Sequence, residues 1–479
     1  MFSNGQAADY SLGQVDLTSR VGEGGAVTIT AQTLGSPLGL WAAGGMLFVS
    51  DPAGLRVLGY PLAGLGQDSP ATVVIGQSSA TAVGEVGLAW SQQLNSVYGV
   101  AYDGANLAVA DSGWNRVTLY APPFGSAPAA YRVLGQPDMS SFANNQGGLA
   151  SASTLENPHG VALAGGKVIV SDMSNNRILI WNGIPASDGQ AADLVLGQPD
   201  MTSTTANQGL AAPTASTLNQ PAGIYTYGDM LFVADSRNAR ILVWKHLSTL
   251  TTDQPADLVL GQADFVSAVA AADAGHFYDP VSVYYDGTHV FAGDLANRVL
   301  VWNSLPAVPG VFADAVLGEA NFSATSPGPV SPNTVVEPLG LGGDGTTLFV
   351  SSDGENRVLA YTCGGGAPAA HGRGPKASPS PDKAGLALQG KTLLVYPNPA
   401  RGQGTALFRL NADGPAVLRI YSMDGSLARQ MELGELPAGQ YSRVLPGEGL
   451  ASGLYLVQLS QAVAGGQRVL GTFKWALVR

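Results

Sequence analysis

The chain has 479 residues, of which 45% are apolar and only 12% charged; the length suits about three domains, or one large all-β domain with a small companion. Its 63 Gly and 30 Pro suit many tight turns, and its net charge of −12 repels a phosphate backbone, so a coiled coil, a charged disordered tail and a nucleic-acid binder are excluded. The single cysteine, Cys363, supports neither an internal disulfide nor a Cys-based metal cluster, and no run reaches the roughly 18 apolar residues of a membrane span.

Residues Met1 to Gln6 carry neither a basic start nor an apolar core, so no signal peptide is read there. Beyond them the chain repeats itself. In Lys167 to Trp181 an apolar strand runs to Asp172, a polar turn follows, and a second apolar strand runs from Arg177 to an aromatic. The Asp recurs at Asp51, Asp111, Asp172, Asp235, Asp294 and Asp353, with gaps of 60, 61, 63, 59 and 59. Each is followed by Arg56, Arg116, Arg177, Arg240, Arg298 or Arg357. Four residues past every Arg stands Tyr60, Tyr120, Trp181, Trp244, Trp302 or Tyr361.

A second marker follows as Ile75-Gly-Gln, Leu134-Gly-Gln, Leu196-Gly-Gln, Leu260-Gly-Gln and Leu317-Gly-Glu, and a third opens each unit, as in Asn157-Pro-His-Gly-Val. Each unit thus holds four short strands separated by Gly, Asn and Asp turns, and six such units make a six-bladed β-propeller. The sixth unit lacks its Leu-Gly-Gln strand. Gln6 to Asp16 copies Gln190 to Asp200, so the N-terminal strand is expected to complete the last blade and close the ring. The Pro-x-Gly-(Val/Ile) strand and the Asp-x-x-Asn-x-Arg turn resemble the NHL family of propellers over about residues 5 to 363. That resemblance implies a fold, since such propellers serve as binding modules, scaffolds and occasional enzymes.

Residues 364–390 read as a flexible Gly/Pro/Ser linker. Residues 391–479 carry strand-like runs at Leu393–Tyr396, 406–410, 417–421, 441–445, 454–459 and 469–477, which predict a small immunoglobulin-like sandwich. Tyr396-Pro-Asn-Pro, Ile420-Tyr-Ser-Met-Asp-Gly, Leu436-Pro-Ala-Gly-Gln-Tyr, Leu450-Ala-Ser-Gly-Leu-Tyr-Leu and the Lys474 to Arg479 ending resemble the C-terminal sorting domains of the bacterial type IX secretion system and FlgD-like immunoglobulin folds. The resemblance implies export through that machinery to the outside or outer surface of a bacterial cell. Charge divides at the same boundary: 11 basic against 29 acidic residues up to Cys363, and 12 against 6 after it.

The recurring Asp and Arg occur in every unit, so they answer a need of every blade and read as structural. Candidate functional positions are those that differ between blades. The residue before each first strand is Ser36, Ser96, Asn157, Gln220, Asp279 or Glu337, all polar and all expected near the channel mouth. Asn157, Asp279 and Glu337 offer hard oxygen ligands for Ca²⁺, or polar anchors for a small ligand. His159 joins them, but Leu38, Tyr98, Ala222, Val281 and Leu339 fill its slot elsewhere. With His246, His276 and His289 at unrelated points of the repeat, the channel zinc site that NHL-type amidating lyases would imply is not supported.

Gly385 to Thr392 fits the G-x-x-x-x-G-K-T phosphate loop but lies between a Pro-rich linker and a strand ended by prolines, the wrong context for a phosphate-binding helix. The expectation is a non-catalytic binding propeller, a monomer without resident cofactor, recognising a protein, peptide or glycan through its channel mouth. The loops Met139–Leu155 and Met201–Leu218 are its contact surface. The alternative is a Ca²⁺-dependent or carboxylate-based lactonase- or lyase-like enzyme with its site in the channel.

Overall fold

Short β-branched runs bounded by Gly pairs dictate tight hairpins. Gly165 and Gly166 take φ of 58° and 77°, the left-handed pair that a two-residue hairpin turn requires, and so bring Ala164 opposite Lys167. The computed structural model describes residues 2–20, 28–84, 87–125, 127–362, 392–396, 400–401, 403–422, 426–436, 439–446, 450–463 and 466–478. Cys363, the linker, the Gly385 to Lys391 stretch and parts of the sorting-domain motifs lie outside these residues. The chain divides into two compact units, Met1–Ala369 and Ala370–Arg479.

The first unit contains six four-stranded antiparallel sheets, spanning residues 40–75, 97–134, 158–196, 221–260, 280–317 and 341–362 and called here sheets one to six. The first strand of each sheet packs on the first strand of the next, and that of sheet six returns to that of sheet one. This is a β-propeller. The fourth strand of sheet six is Tyr10–Leu12, which pairs antiparallel with Tyr10 opposite Ala360 and Leu12 opposite Val358. The N-terminal closure read from the sequence is therefore present. The match extends into the following loop, where the Gly13–Thr33 bridge repeats the Gly197–Thr217 bridge of sheet three.

Apolar clusters fill the spaces between neighbouring sheets. One joins Phe232 and Val243 of sheet four to Val283 and Leu300 of sheet five. Another joins Phe291 of sheet five and Leu348 of sheet six to Phe2 and Ala8 of the N-terminal segment. The six Arg side chains are fully buried. Arg177 is typical: its Nε donates to Asp172 at 2.7 Å, and its Nη atoms donate to the carbonyls of Met201, Ser151 and Thr154. One guanidinium thus ties the loop before its sheet to the loop after it, while Asp172 also accepts the Glu156 N–H at 2.7 Å. The aromatics that end the third strands are buried as well, and the indoles of Trp181, Trp244 and Trp302 each donate to a loop carbonyl.

Sheet six departs from the sequence reading. Asp353 is not the sixth member of the Asp set, because Ser352 stands opposite Arg357 in the register and Glu355 supplies the carboxylate to Arg357 at 2.7 Å. Asp353 lies one residue further on, freed from the staple.

The second unit has a three-stranded sheet (Leu393–Tyr396, Gln403–Leu410, Gly439–Pro446) and a five-stranded sheet built on Gly414–Ser422, Gly453–Val463 and Gly466–Val478. Phe408, Leu418, Val457 and Trp475 form part of one fully buried core between them. All six predicted strands are present. Ala400–Arg401 and Leu427–Leu436 are additional.

Candidate functional site

The channel runs along the six first strands, which approach closely because a glycine follows the variable slot. A Cβ on Gly99 would stand 2.4 Å from the His159 carbonyl oxygen, and one on Gly223 would stand 2.5 Å from that of Val281. Sheet five has Ser282 at this position instead. Its hydroxyl donates to Pro338 O at 2.8 Å, in space left open by Gly293 on the adjoining strand.

A cavity of about 230 Å³ opens at the mouth. Its wall carries the slot residues Leu38, Tyr98, His159, Ala222, Val281 and Leu339, with Arg237 and Asp279 on one side. Tyr98 and His159 stack face to face, their rings 4.0 Å apart and inclined by 21°. Burial favours the neutral imidazole and lowers the His159 pKa to about 4, so at neutral pH it presents one donor and one acceptor. The Tyr98 hydroxyl is raised, by burial first and then by the charge of Asp353. Deeper in the channel Trp41 of sheet one reaches Tyr225 of sheet four, the sheet opposite, at a ring distance of 5.2 Å. Tyr225 meets Tyr284 edge-on at 5.0 Å. Trp41 and Tyr225 therefore bridge the channel and form part of the cavity's own wall.

Of the residues chosen from the sequence, His159 and Asp279 line the cavity, whereas Ser36, Ser96, Asn157, Gln220 and Glu337 are not part of its wall. Ser96, Asn157, Gln220 and Glu337 have left-handed backbone, with φ of 39° to 53°. The backbone N–H groups of Asn157, Gln220 and Glu337 donate to Asn115, Asn176 and Asn297 of the preceding sheet. The left-handed backbone explains the choice of Asn157, a residue type that tolerates that region, but not of Ser96, Gln220 or Glu337.

Their side chains have separate partners. Arg237 donates to Gln220 at 3.0 Å and to Asp279 at 3.2 Å, while Asn157 is directed at the Met173 sulfur at 3.9 Å. The oxygen ligands proposed for Ca²⁺ are thus drawn apart, and Asp279 already faces a cation. Among the described residues no three His, Cys, Asp or Glu side chains are grouped to hold a metal ion.

One functional candidate was missed. Asp353 accepts from the Ser36 hydroxyl at 2.5 Å and lies beside Glu337. Its carboxyl is raised, chiefly by burial; Ser36 opposes the rise and the neighbouring Glu337 adds to it. Spacing gave no warning, because the four-residue step from Asp353 to Arg357 is also that of the genuine Asp294–Arg298 pair.

The expected contact loops contain paired left-handed residues, Asn145–Gln146 and Asn207–Gln208. The side-chain amides of Asn175 and Asn238 donate hydrogen bonds to the amide oxygens of Asn145 and Asn207 and hold these loops to the adjoining turns.

No protein-family model matches the sequence, and no curated protein matches it significantly. Among solved structures the chain is similar to a streptogramin B lyase, at 11% identity over 71% of this chain and 87% of that one, with a TM-score of 0.37. It is also similar to the glutaminyl cyclase of Myxococcus xanthus (11%, 69% and 91%, TM-score 0.32). A third is PorZ, a surface component of the type IX secretion system of Porphyromonas gingivalis (12%, 95% and 60%, TM-score 0.32). Likenesses this distant carry no function across, and the propeller assignment rests on strand topology.

Proposed function

We propose that the first unit is a non-catalytic recognition propeller of the NHL type that holds a protein, peptide or glycan end-group at its channel mouth. The observation that carries this reading is the Tyr98–His159 stack, which opens into the cavity opposite the Arg237–Asp279 pair. A flat aromatic face, a neutral imidazole and one ion pair on an otherwise apolar wall suit the orientation of a small amphipathic group. The second unit serves as an immunoglobulin-like sorting domain for type IX export, which places the propeller outside the cell. Its two sheets around a shared core and its residue motifs support that role.

Screening the intact protein on glycan and peptide arrays tests the reading. Hits held at the channel mouth should disappear in Tyr98→Leu, which installs the residue that sheets one and six carry in that slot. Survival of every hit would refute the channel assignment.

The Ser36–Asp353–Glu337 cluster favours a second reading, a carboxylate-based lyase- or lactonase-like enzyme in which Asp353 is the acid–base group. Under that reading Asp353→Asn abolishes turnover of a lactone panel. Under the first it leaves ligand binding within about threefold, as for a group outside the binding wall.

A further inference from the structure

We infer that sheet two carries a separate platform for neutral saccharides, formed by Trp90, Trp114 and Phe142. Its rings meet one another: Trp90 and Trp114 lie edge to face at 5.3 Å, and Trp90 and Phe142 lie nearly parallel at 6.3 Å and 25°. Trp90 is 44% exposed and Phe142 53%.

The other sheets are internal controls for these positions. Trp90 stands four residues before the buried Leu94, and the equivalent residues are Thr30, Ser151, Thr214, Asp273 and Ser331. In all five the side-chain oxygen accepts a backbone N–H two residues on, capping the turn. An indole N–H only donates, so Trp90 gives up that cap. Trp114 occupies the place of Asn175 and Asn238, whose amides donate to Asp172 and Asp235 at 2.8 Å. Phe142 occupies the place of Thr204 and Thr325, since Asn115, Asn176 and Asn297 donate to the carbonyls of Phe142, Thr204 and Thr325 alike. Three positions that are polar in sheet three, Ser151, Asn175 and Thr204, have thus become aromatic in sheet two and converge there. The fold does not ask for this, because its other copies do without it.

The surroundings select the occupant. Residues 136–155 contain one charged side chain, Asp138, whose carboxylate is held by the N–H groups of Ser140 and Ser141. The remaining polar groups of that loop are hydroxyls and amides. Arg116, beneath Trp114 at 4.5 Å, is buried and paired with Asp111. Flat exposed rings edged by uncharged hydrogen-bonding groups complement a sugar ring, whose C–H face lies on the aromatic plane and whose hydroxyls meet amides. On a propeller with 29 acidic and 11 basic residues, an uncharged ligand escapes the repulsion an anionic one would meet.

The inference shares the recognition role proposed above but uses a different surface, so the two are tested by different substitutions. The intact protein is titrated calorimetrically with cellohexaose, maltohexaose, xylohexaose and chitohexaose. At least one should bind, and the Trp90→Ser/Phe142→Thr double variant, carrying the residues of sheet three, should weaken it by at least about tenfold. Tyr98→Leu should bind as the parent does. The single Phe142→Thr variant alters an exposed side chain and should still lose affinity while unfolding at the parent's temperature. The inference is overturned if no hexasaccharide binds, if the double variant binds like the parent, or if Tyr98→Leu alone removes binding.

Discussion

From Arg56 to Arg357 the buried guanidinium of each sheet has the same kind of partners, a carboxylate on its own sheet and loop carbonyls on either side. From Leu38 to Leu339 the residue at the head of each first strand varies between an aliphatic, a phenol and an imidazole. One set is repeated because every sheet must be tied to its neighbours. The other is free to vary because those side chains face a cavity and not a partner sheet. In a repeat protein the six copies therefore separate structure from function without any outside comparison: sameness marks what holds the ring, and difference marks what the ring presents.

That contrast can be broken most severely at the staples. Arg177→Ala leaves Asp172 buried without its cation and should cost about 3–5 kcal/mol, read from urea unfolding. Next comes the closure. Leu12 is fully buried although it lies near the chain start, so Leu12→Ala should cost about 3 kcal/mol, as a central core leucine does. A change near the unfolding baseline would mean that the N-terminal strand does not seal the ring.

The channel wall should respond to pH. His159 has a pKa near 4 in the folded protein, against about 6.5 when unfolded. Between those values the unfolded chain binds the extra proton, so stability falls as pH drops from 6.5 towards 4, by about 3 kcal/mol in total. His159→Phe keeps the stack on Tyr98 and should flatten that part of the stability–pH curve. The smallest effect is expected at Arg237, whose side chain is 60% exposed: Arg237→Gln should change stability by less than about 1 kcal/mol.

The sequence made the ring legible because the Asp, Arg, aromatic and Leu-Gly-Gln markers recur at nearly constant spacing, and because Gln6 to Asp16 repeats an internal segment. The tail strands were legible from alternation; Leu427–Leu436 was not, since Arg429, Gln430, Glu432 and Glu435 break up its apolar pattern. The site was only partly legible. His159 and Asp279 were found because they occupy strand heads. Arg237 and the Trp41–Tyr225 bridge were not, because they lie outside the marker positions and are brought in by a turn or by the opposite sheet. Asp353 in particular hid behind its own repeat, where a shift of one residue turned a structural carboxylate into a channel-mouth group.

Measuring urea stability and array binding together for Tyr98→Leu tests the account most directly, with Arg177→Ala as its counterpart. The expected result is a Tyr98→Leu protein within about 1 kcal/mol of the parent that has lost its ligand, since the slot tolerates leucine in two other sheets. A variant that unfolds as readily as Arg177→Ala, or that keeps every array hit, would contradict it.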